Sequence, residues 1–180
     1  GKQEDEREAF YTFFYFDSLM ESVDRKAWLE YIISLFGDAK IERVADCACG
    51  TGALSIPLAK RGYKVTGLDA SEEMLRIAAE NAEKNGFALH TGVGDVIGDA
   101  ELSARIGGEY DIIVANIVAD VIMGMQDILK SKLKREGTLI VSGIIAPRAD
   151  EVQASLLGAG FVLDRRDQSG DWVAMTLHQA

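Results

Sequence analysis

The sequence predicts an α/β fold in which a seven-stranded, mostly parallel sheet carries helices on both faces. Short apolar segments typical of buried strands alternate with amphipathic segments bounded by capping residues and glycines, which is the pattern of parallel strands with crossover helices. The chain then ends in two apolar segments joined across Ser169-Gly170, a hairpin signal. We therefore expect the last strand to be antiparallel.

Each element has a local reason in the sequence. The segment 110–116 is almost continuously apolar, which favours burial on both faces of the strand. Asp24 and Ser71 are candidate helix caps, and Pro147 suits the start of a helix. The predicted strands are 43–47, 64–69, 88–93, 110–116, 138–142, 161–164 and 172–178. The predicted helices are 24–37, 53–60, 72–84, 119–133 and 147–158.

Length and composition predict one domain. At 180 residues, with 48% hydrophobic and 27% charged residues, the chain resembles an ordinary globular protein. We expect an N-terminal aromatic and helical segment over 1–40 and a core over 41–180. A formal net charge of -10 argues against nucleic acid as a partner, and no apolar run approaches the length of a membrane span. A monomer is expected.

The cysteines and histidines do not predict a metal site. Cys47 and Cys49 are too close in a tight turn for an unstrained bridge, and no second cysteine pair exists. His90 and His178 lie far apart in the sequence, so zinc is not expected. Two free thiols favour a reducing cytoplasm.

The most informative segment is 44–52, in which a buried strand breaks into a glycine-bearing turn before the next helix. Ala48, Gly50 and Gly52 lack bulky side chains, so the backbone of this turn can approach a ligand closely. Seventeen residues after Gly52, the next strand ends in Asp69. A carboxylate in that position holds a ribose in doubly wound sheets, so the pattern predicts a nucleoside-cofactor site.

Two cofactors compete for this site. A dinucleotide site requires three glycines, but Ala48 occupies the first position and the third glycine is absent. Asp46 inside the turn would repel a pyrophosphate, whereas it suits an ammonium and a sulfonium. Asp95 follows the third strand and is placed to accept from an adenine amine. The three carboxylates favour S-adenosylmethionine over NAD.

The motif from Asp46 to Gly52 resembles the first motif of the class I methyltransferases, with Ala48 in place of the usual glycine. The resemblance implies a Rossmann-like fold, S-adenosylmethionine as cofactor and S-adenosylhomocysteine as product. It implies that Asp46 and the turn hold the methionine part, and that Asp69 binds both ribose hydroxyls. The residues it places around the adenine are Asp95, Val96, Ala70 and Met74.

The two halves of the chain resemble different relatives. Segments 16–20, 45–58 and 63–74 are similar to small bacterial methyltransferases with an aromatic N-terminal lid. Segments 111–120, 142–145 and 170–174 are similar to bacterial ribosomal-protein lysine methyltransferases, whose separate substrate-recruiting domain is not expected here. These resemblances predict a chimera joined within 87–110, and they leave open a cofactor-binding scaffold without turnover.

Methyl transfer from a sulfonium requires mainly proximity and orientation, so a dedicated base is not needed. Asn116 ends the fourth strand and is the candidate for orienting a protein amino group beside the cofactor; the alternative is that its amide satisfies local backbone. Tyr11 and Tyr15 are candidates for covering the cofactor or for packing against the sheet. His90 is an alternative base, but its position favours an ordinary strand residue.

Overall fold

The computed structural model describes residues 22–47, 50–69, 71–93 and 104–180. The helices are α1 (Ser22–Ser34), α2 (Ser55–Lys60), α3 (Glu72–Lys84), α4 (Ala119–Lys132) and α5 (Ala146–Gly158). The strands are β1 (Arg43–Cys47), β2 (Lys64–Asp69), β3 (His90–Val93), β4 (Tyr110–Asn116), β5 (Leu133–Ile145), β6 (Phe161–Ser169) and β7 (Trp172–Gln179). None of the helices within these ranges is long and apolar enough to cross a membrane.

The strands form one seven-stranded sheet in the order β3-β2-β1-β4-β5-β7-β6. Strands β1 to β5 are parallel to one another, while β7 is antiparallel to both β5 and β6. The predicted fold class and the antiparallel end of the sheet are therefore confirmed.

Alternate residues of the central strands build two cores, one on each face of the sheet. On the first face, Val44, Val114 and Ile140 pack with apolar residues of α1 and α2. On the second face, Ala45 and Val141 belong to a larger cluster that includes residues of α4 and α5. The helices thus cover both faces, as the alternation of strand and helix signals predicted.

Three helices begin at other residues than the sequence indicated, and one of them, α5, does so by a single residue, at Ala146 rather than at residue 147. Helix α1 begins at Ser22, so the prediction that Asp24 caps it is wrong. Helix α2 begins at Ser55 rather than at residue 53. The preceding turn extends further than predicted, through residue 54, and it contains Gly50 and Gly52 with φ angles of 54° and 89°.

Three strands also differ in extent from the prediction. Strand β3 is shorter and begins at His90, whereas β5 already begins at Leu133 and β6 continues to Ser169. The extra residues of β5 and β6 include polar, exposed positions that single-sequence patterns assign to loops. Backbone pairing with β4 and β7 holds them in strands regardless of their own preferences.

Candidate functional site

The carboxyl ends of the parallel strands bring four polar side chains to one face of the sheet. These are Asp46 of β1, Asp69 of β2, Asn116 of β4 and Ser142 of β5. Each lies an even number of residues after an apolar residue of the same strand that belongs to the core under α1 and α2. Because side chains alternate between the two faces along a strand, all four leave the same face of the sheet. Asn116 and Ser142 are direct register partners. This edge of an open α/β sheet is where such folds bind ligands.

The turn between β1 and α2 requires glycine at two positions. A Cβ at Gly52 would lie 2.9 Å from Cδ1 of Ile56 and 3.6 Å from Cβ of Ala78, so no side chain fits between the turn and the flanking helices. At Gly50, with a φ of 54°, no atom of the described residues lies within 4 Å of the Cβ position. The two left-handed residues agree with the prediction that this turn presents its backbone to a ligand.

Asp69 joins the glycine turn to the end of β2. Its Oδ2 accepts a hydrogen bond from the amide of Gly50 at 3.0 Å, and its Oδ1 accepts one from the amide of Ser71 at 2.8 Å. The side-chain amide of Asn81 in α3 donates to the carbonyl of Thr51 at 3.0 Å. The turn is therefore held from two sides. Each oxygen of Asp69 has a second lone pair for a further donor.

Asp46 is a buried acid, with a relative exposure of 3%. Its Oδ2 accepts a hydrogen bond from the hydroxyl of Ser55 at 2.5 Å. Burial, which disfavours the charged form, raises the pKa of Asp46 to about 7; the Ser55 hydrogen bond opposes that shift and the negative charge of Asp69 adds to it.

Neither Asp46 nor Asp69 forms an ion pair with any residue in the described ranges. Two acids thus share one site without a compensating cation. Such an arrangement favours a ligand that brings its own positive charge.

Asn116 lies where the sequence predicted, at the end of β4, with an exposure of 8%. Its Oδ1 has no hydrogen-bond partner, and the same is true of Oγ of Ser142. The carboxamide oxygen therefore has capacity for a further donor, and the alternative that the Asn116 amide satisfies local backbone stays untested for its nitrogen. His90 begins β3, at the edge of the sheet, in agreement with an ordinary strand residue.

The remaining predicted site residues divide into two groups. Met74 lies half-buried in the first turn of α3, where its amide donates to Oγ of Ser71 at 3.2 Å, close along the chain to Asp69. The other candidates lie outside the described residues: Tyr11, Tyr15, Ala48, Ala70, Asp95 and Val96.

Three residues of this edge were missed as site residues by sequence reasoning: Ser55, Ser142 and Gly143. Ser55 carries a signal all the same, because a hydroxyl that follows the turn can donate a hydrogen bond to Asp46. Ser142 and Gly143 follow an apolar strand as Asn116 does, but only the pairing of β4 with β5 brings them beside it.

The sheet order, the antiparallel β7 and the glycine turn at the carboxyl edge define a class I methyltransferase fold. Within this class, the chain belongs to the ribosomal protein L11 methyltransferase (PrmA) family, whose model matches residues 27–180. This confirms the methyltransferase class that the sequence predicted.

Individual relatives agree with the family. The chain is 37% identical over 145 residues to the ribosomal protein L11 methyltransferase of Agathobacter rectalis, an alignment that covers 78% of this chain and 45% of that protein. The chain thus spans less than half the length of this curated relative.

Solved structures agree with the fold. The ribosomal protein L11 methylase of Lactobacillus delbrueckii subsp. bulgaricus superposes with a TM-score of 0.74 at 28% identity, covering 87% of this chain and 79% of that one. An S-adenosylmethionine-dependent methyltransferase of Clostridium acetobutylicum gives 0.75 at 14% identity, covering 95% and 99%. At this low identity the second structure supports the fold alone.

Proposed function

We propose that this chain binds S-adenosylmethionine at the carboxyl edge of its sheet and transfers the methyl group to an amino group of a protein. The single observation that carries the proposal is the shared placement of Asp46, Asp69 and Asn116 on one face of that edge, around a turn that requires glycine. Membership of the ribosomal protein L11 methyltransferase family supports both the reaction and a protein acceptor.

The residues fit this cofactor in charge and in hydrogen bonding. Asp46 is a buried carboxylate without an ion pair in the described ranges, which suits the ammonium of the methionine part. Asp69 ends β2 with lone pairs available for two ribose hydroxyls. A pyrophosphate would instead meet two uncompensated acids.

The protein's own contribution to the reaction is placement. When bound, S-adenosylmethionine would supply an activated methyl group to the lone pair of the acceptor nitrogen and leave as S-adenosylhomocysteine, while the nitrogen would lose a proton to solvent. Asn116 would orient the nitrogen, because its carboxamide oxygen is a buried acceptor that lacks a donor. The roles of Tyr11, Tyr15, Ala48, Ala70, Asp95 and Val96 stay predictions.

Calorimetry distinguishes this cofactor from a dinucleotide. We expect the full chain to bind S-adenosylhomocysteine and not to bind NADH. Tight NADH binding without S-adenosylhomocysteine binding would overturn the assignment.

A transfer assay then distinguishes an enzyme from a scaffold. The full chain is incubated with methyl-labelled S-adenosylmethionine and either purified ribosomal protein L11 or a lysine-containing peptide, and the methylated residue is located by mass spectrometry. We expect methylation of an amino group. Binding of the cofactor without transfer to either acceptor would support the scaffold.

The origin of the chain from two relatives remains a separate hypothesis. The family model runs through 87–110 without interruption, so it gives no separate support to a junction there. Comparing 22–86 and 111–180 individually with natural sequences tests the hypothesis. One natural relative that matches both parts equally well would exclude a chimera.

A further inference from the structure

Two buried polar atoms at the carboxyl edge lack hydrogen-bond partners. They are Oδ1 of Asn116 and Oγ of Ser142, and they are the two such side-chain atoms recorded for the described residues. Their residues are 8% and 6% exposed, and the two are register partners on adjacent parallel strands. An unpaired polar atom in a protein interior is unfavourable and uncommon. Two of them side by side indicate a place that a ligand group completes.

The backbone around Ser142 is shaped to keep these atoms together. The register of β5 with β7 shifts between Val141 and Ile144, which makes Ser142-Gly143 an irregularity in the strand. Such bulges re-aim side chains and often occur next to active sites. Gly143 has a φ of 72°, and a Cβ on it would lie 2.4 Å from Oδ1 of Asn116. Glycine at this position is what allows the carboxamide of Asn116 to remain beside the strand.

The spacing of the two strands is compatible with one nitrogen held between the two side chains. Adjacent strands lie about 4.8 Å apart, and the side chains of register partners leave the same face. An amino nitrogen that donates two hydrogen bonds of about 2.9 Å at a tetrahedral angle spans acceptors about 4.7 Å apart. A neutral primary amine held in this way directs its remaining lone pair away from both acceptors.

We propose that Ser142 and Asn116 form a two-point acceptor for the amino group that is to be methylated, and that Gly143 is the residue that positions Asn116 within it. This inference rests on the proposed function, and it adds Ser142 and Gly143 to the residues that hold the acceptor nitrogen. Ser142 contacts the acceptor nitrogen directly, whereas Gly143 acts through the carboxamide of Asn116.

Ser142→Ala tests the first half of the proposal, with Ser155→Ala as the matched control. Ser155 is in α5, and its hydroxyl donates to Oε1 of Gln126 at 2.6 Å, so the control removes a hydroxyl that has a partner. Three quantities are measured for each full-length variant: S-adenosylhomocysteine affinity, methyl transfer to a lysine-containing peptide, and the thermal midpoint. Binding of the same peptide, fluorescently labelled, is followed with S-adenosylhomocysteine present.

For Ser142→Ala we expect unchanged S-adenosylhomocysteine affinity, peptide kcat/KM and peptide affinity lowered about tenfold, and a thermal midpoint that stays equal or rises. The midpoint should not fall because the lost hydroxyl has no partner in the unliganded protein. Ser155→Ala should lower the midpoint and leave peptide binding unchanged. A merely structural role for Ser142 would lower the midpoint, and that result would overturn the proposal.

The two proposals fail in different ways. If the wild type methylates the peptide and Ser142→Ala does so equally well, the amine site is wrong while the proposed function stands. If the wild type transfers no methyl group but binds the peptide through Ser142, the proposed function fails and the amine site stands. If the wild type does not bind the peptide at all, the amine site is overturned.

Gly143→Ala tests the positioning role, with Gly62→Ala as its control. Gly62 also has a left-handed φ, of 95°, but no atom lies within 4 Å of its Cβ position. Both variants introduce backbone strain, and only the first displaces Asn116. We expect Gly143→Ala to lower peptide affinity about tenfold or more at unchanged S-adenosylhomocysteine affinity, while Gly62→Ala leaves both unchanged. Equal effects of the two variants on peptide affinity would overturn the positioning role.

Discussion

The two edges of the sheet treat their polar groups in opposite ways. At the amino edge, Asp111 of β4 accepts hydrogen bonds from the amides of Glu42 and Arg43, each at 3.0 Å, and lies 3.6 Å from the ammonium of Lys134. At the carboxyl edge, Asp46 and Asp69 have no ion pair within the described ranges, and Asn116 has an unpaired oxygen. Asp111 at the amino edge thus has its partners within the protein. The polar groups at the carboxyl edge can still form hydrogen bonds with a ligand.

This difference appears directly in the acids. Burial acts to raise the pKa of Asp111, but the amides of Arg43 and Glu42 and the charge of Lys134 outweigh it, so the pKa is lowered. For Asp46, burial outweighs the Ser55 hydrogen bond, so the pKa is raised to about 7. At the amino edge, polar groups thus stabilise the folded protein by pairing with one another. At the carboxyl edge they stay available for a ligand, which makes the unliganded protein less stable.

The largest expected effect is a pH dependence of stability that comes from Asp46. Its pKa is about 7 in the folded protein and about 4 in the unfolded chain, so between these values only the folded state holds the proton. The stabilisation is complete below about pH 4 and is lost as the pH rises through 7. We expect Asp46→Asn, which can still accept from Ser55, to remove on the order of 3 kcal/mol of pH dependence between about pH 5 and 8.

Urea unfolding of wild type and variant at the two pH values measures this effect. Asp111→Asn is the control with the opposite sign, because an acid with a lowered pKa loses its contribution only as the pH falls through the acid range. A wild type and an Asp46→Asn protein with the same change in unfolding free energy would show that Asp46 does not titrate in this range.

The second effect separates binding from stability. Asp69 and Asp111 are matched, since each carboxylate accepts two backbone hydrogen bonds, one pair at each edge. We expect Asp69→Asn to weaken S-adenosylhomocysteine binding at least about tenfold, and Asp111→Asn to lower the free energy of unfolding by about 1–3 kcal/mol without changing that affinity. Calorimetry and urea unfolding measure the two quantities. An unchanged affinity in Asp69→Asn would place the ribose elsewhere.

The third effect compares two left-handed glycines. Gly52 lies in the turn at the carboxyl edge and Gly62 follows α2 towards the amino edge, with φ angles of 89° and 95°. Alanine at either position introduces backbone strain of about 1–2 kcal/mol. At Gly52 it also approaches Ile56, which adds about 1 kcal/mol. We therefore expect a larger loss of unfolding free energy for Gly52→Ala, with weaker S-adenosylhomocysteine binding only there; equal losses would mean that Ile56 moves aside freely.

The sequence predicted most of what depends on local chemistry. The glycine turn, Asp46 before it and Asp69 at the next strand end are readable because strand, turn and helix follow each other along the chain. The parallel sheet followed from the same alternation. Asn116 was readable because it directly follows a continuous apolar run.

What escaped the sequence depends on long-range pairing. Ser142 has the same local signal as Asn116, yet it becomes a site residue only through the β4–β5 register that places the two side by side. Arg165 and Arg166 lie beyond the predicted strand 161–164, and they belong to β6 because their backbone pairs with β7. The hydrogen bond from Ser55 of α2 to Asp46 of β1 was likewise hidden, since it depends on where α2 begins.

The smallest effect concerns a hydroxyl at the amino edge. Tyr110 is buried, its Oη donates to the carbonyl of Ile106 at 2.5 Å, and the guanidinium of Arg43 lies 4.5 Å from the centroid of its ring. Tyr110→Phe keeps the ring and its contact with Arg43 and removes only the hydrogen bond. We expect a loss of about 1 kcal/mol in the free energy of unfolding, with unchanged S-adenosylhomocysteine affinity.

The variant to compare with Tyr110→Phe is Ser142→Ala, which also removes one buried hydroxyl but does so at the carboxyl edge. Tyr110 has a partner to lose, so its hydroxyl stabilises the unliganded protein; Ser142 has none, so its removal should not destabilise it. Urea unfolding of both variants without ligand compares the two edges in one quantity. Equal losses of unfolding free energy in the two variants would mean that the Ser142 hydroxyl has a hydrogen-bond partner in solution. The contrast between the two edges would then be wrong at Ser142.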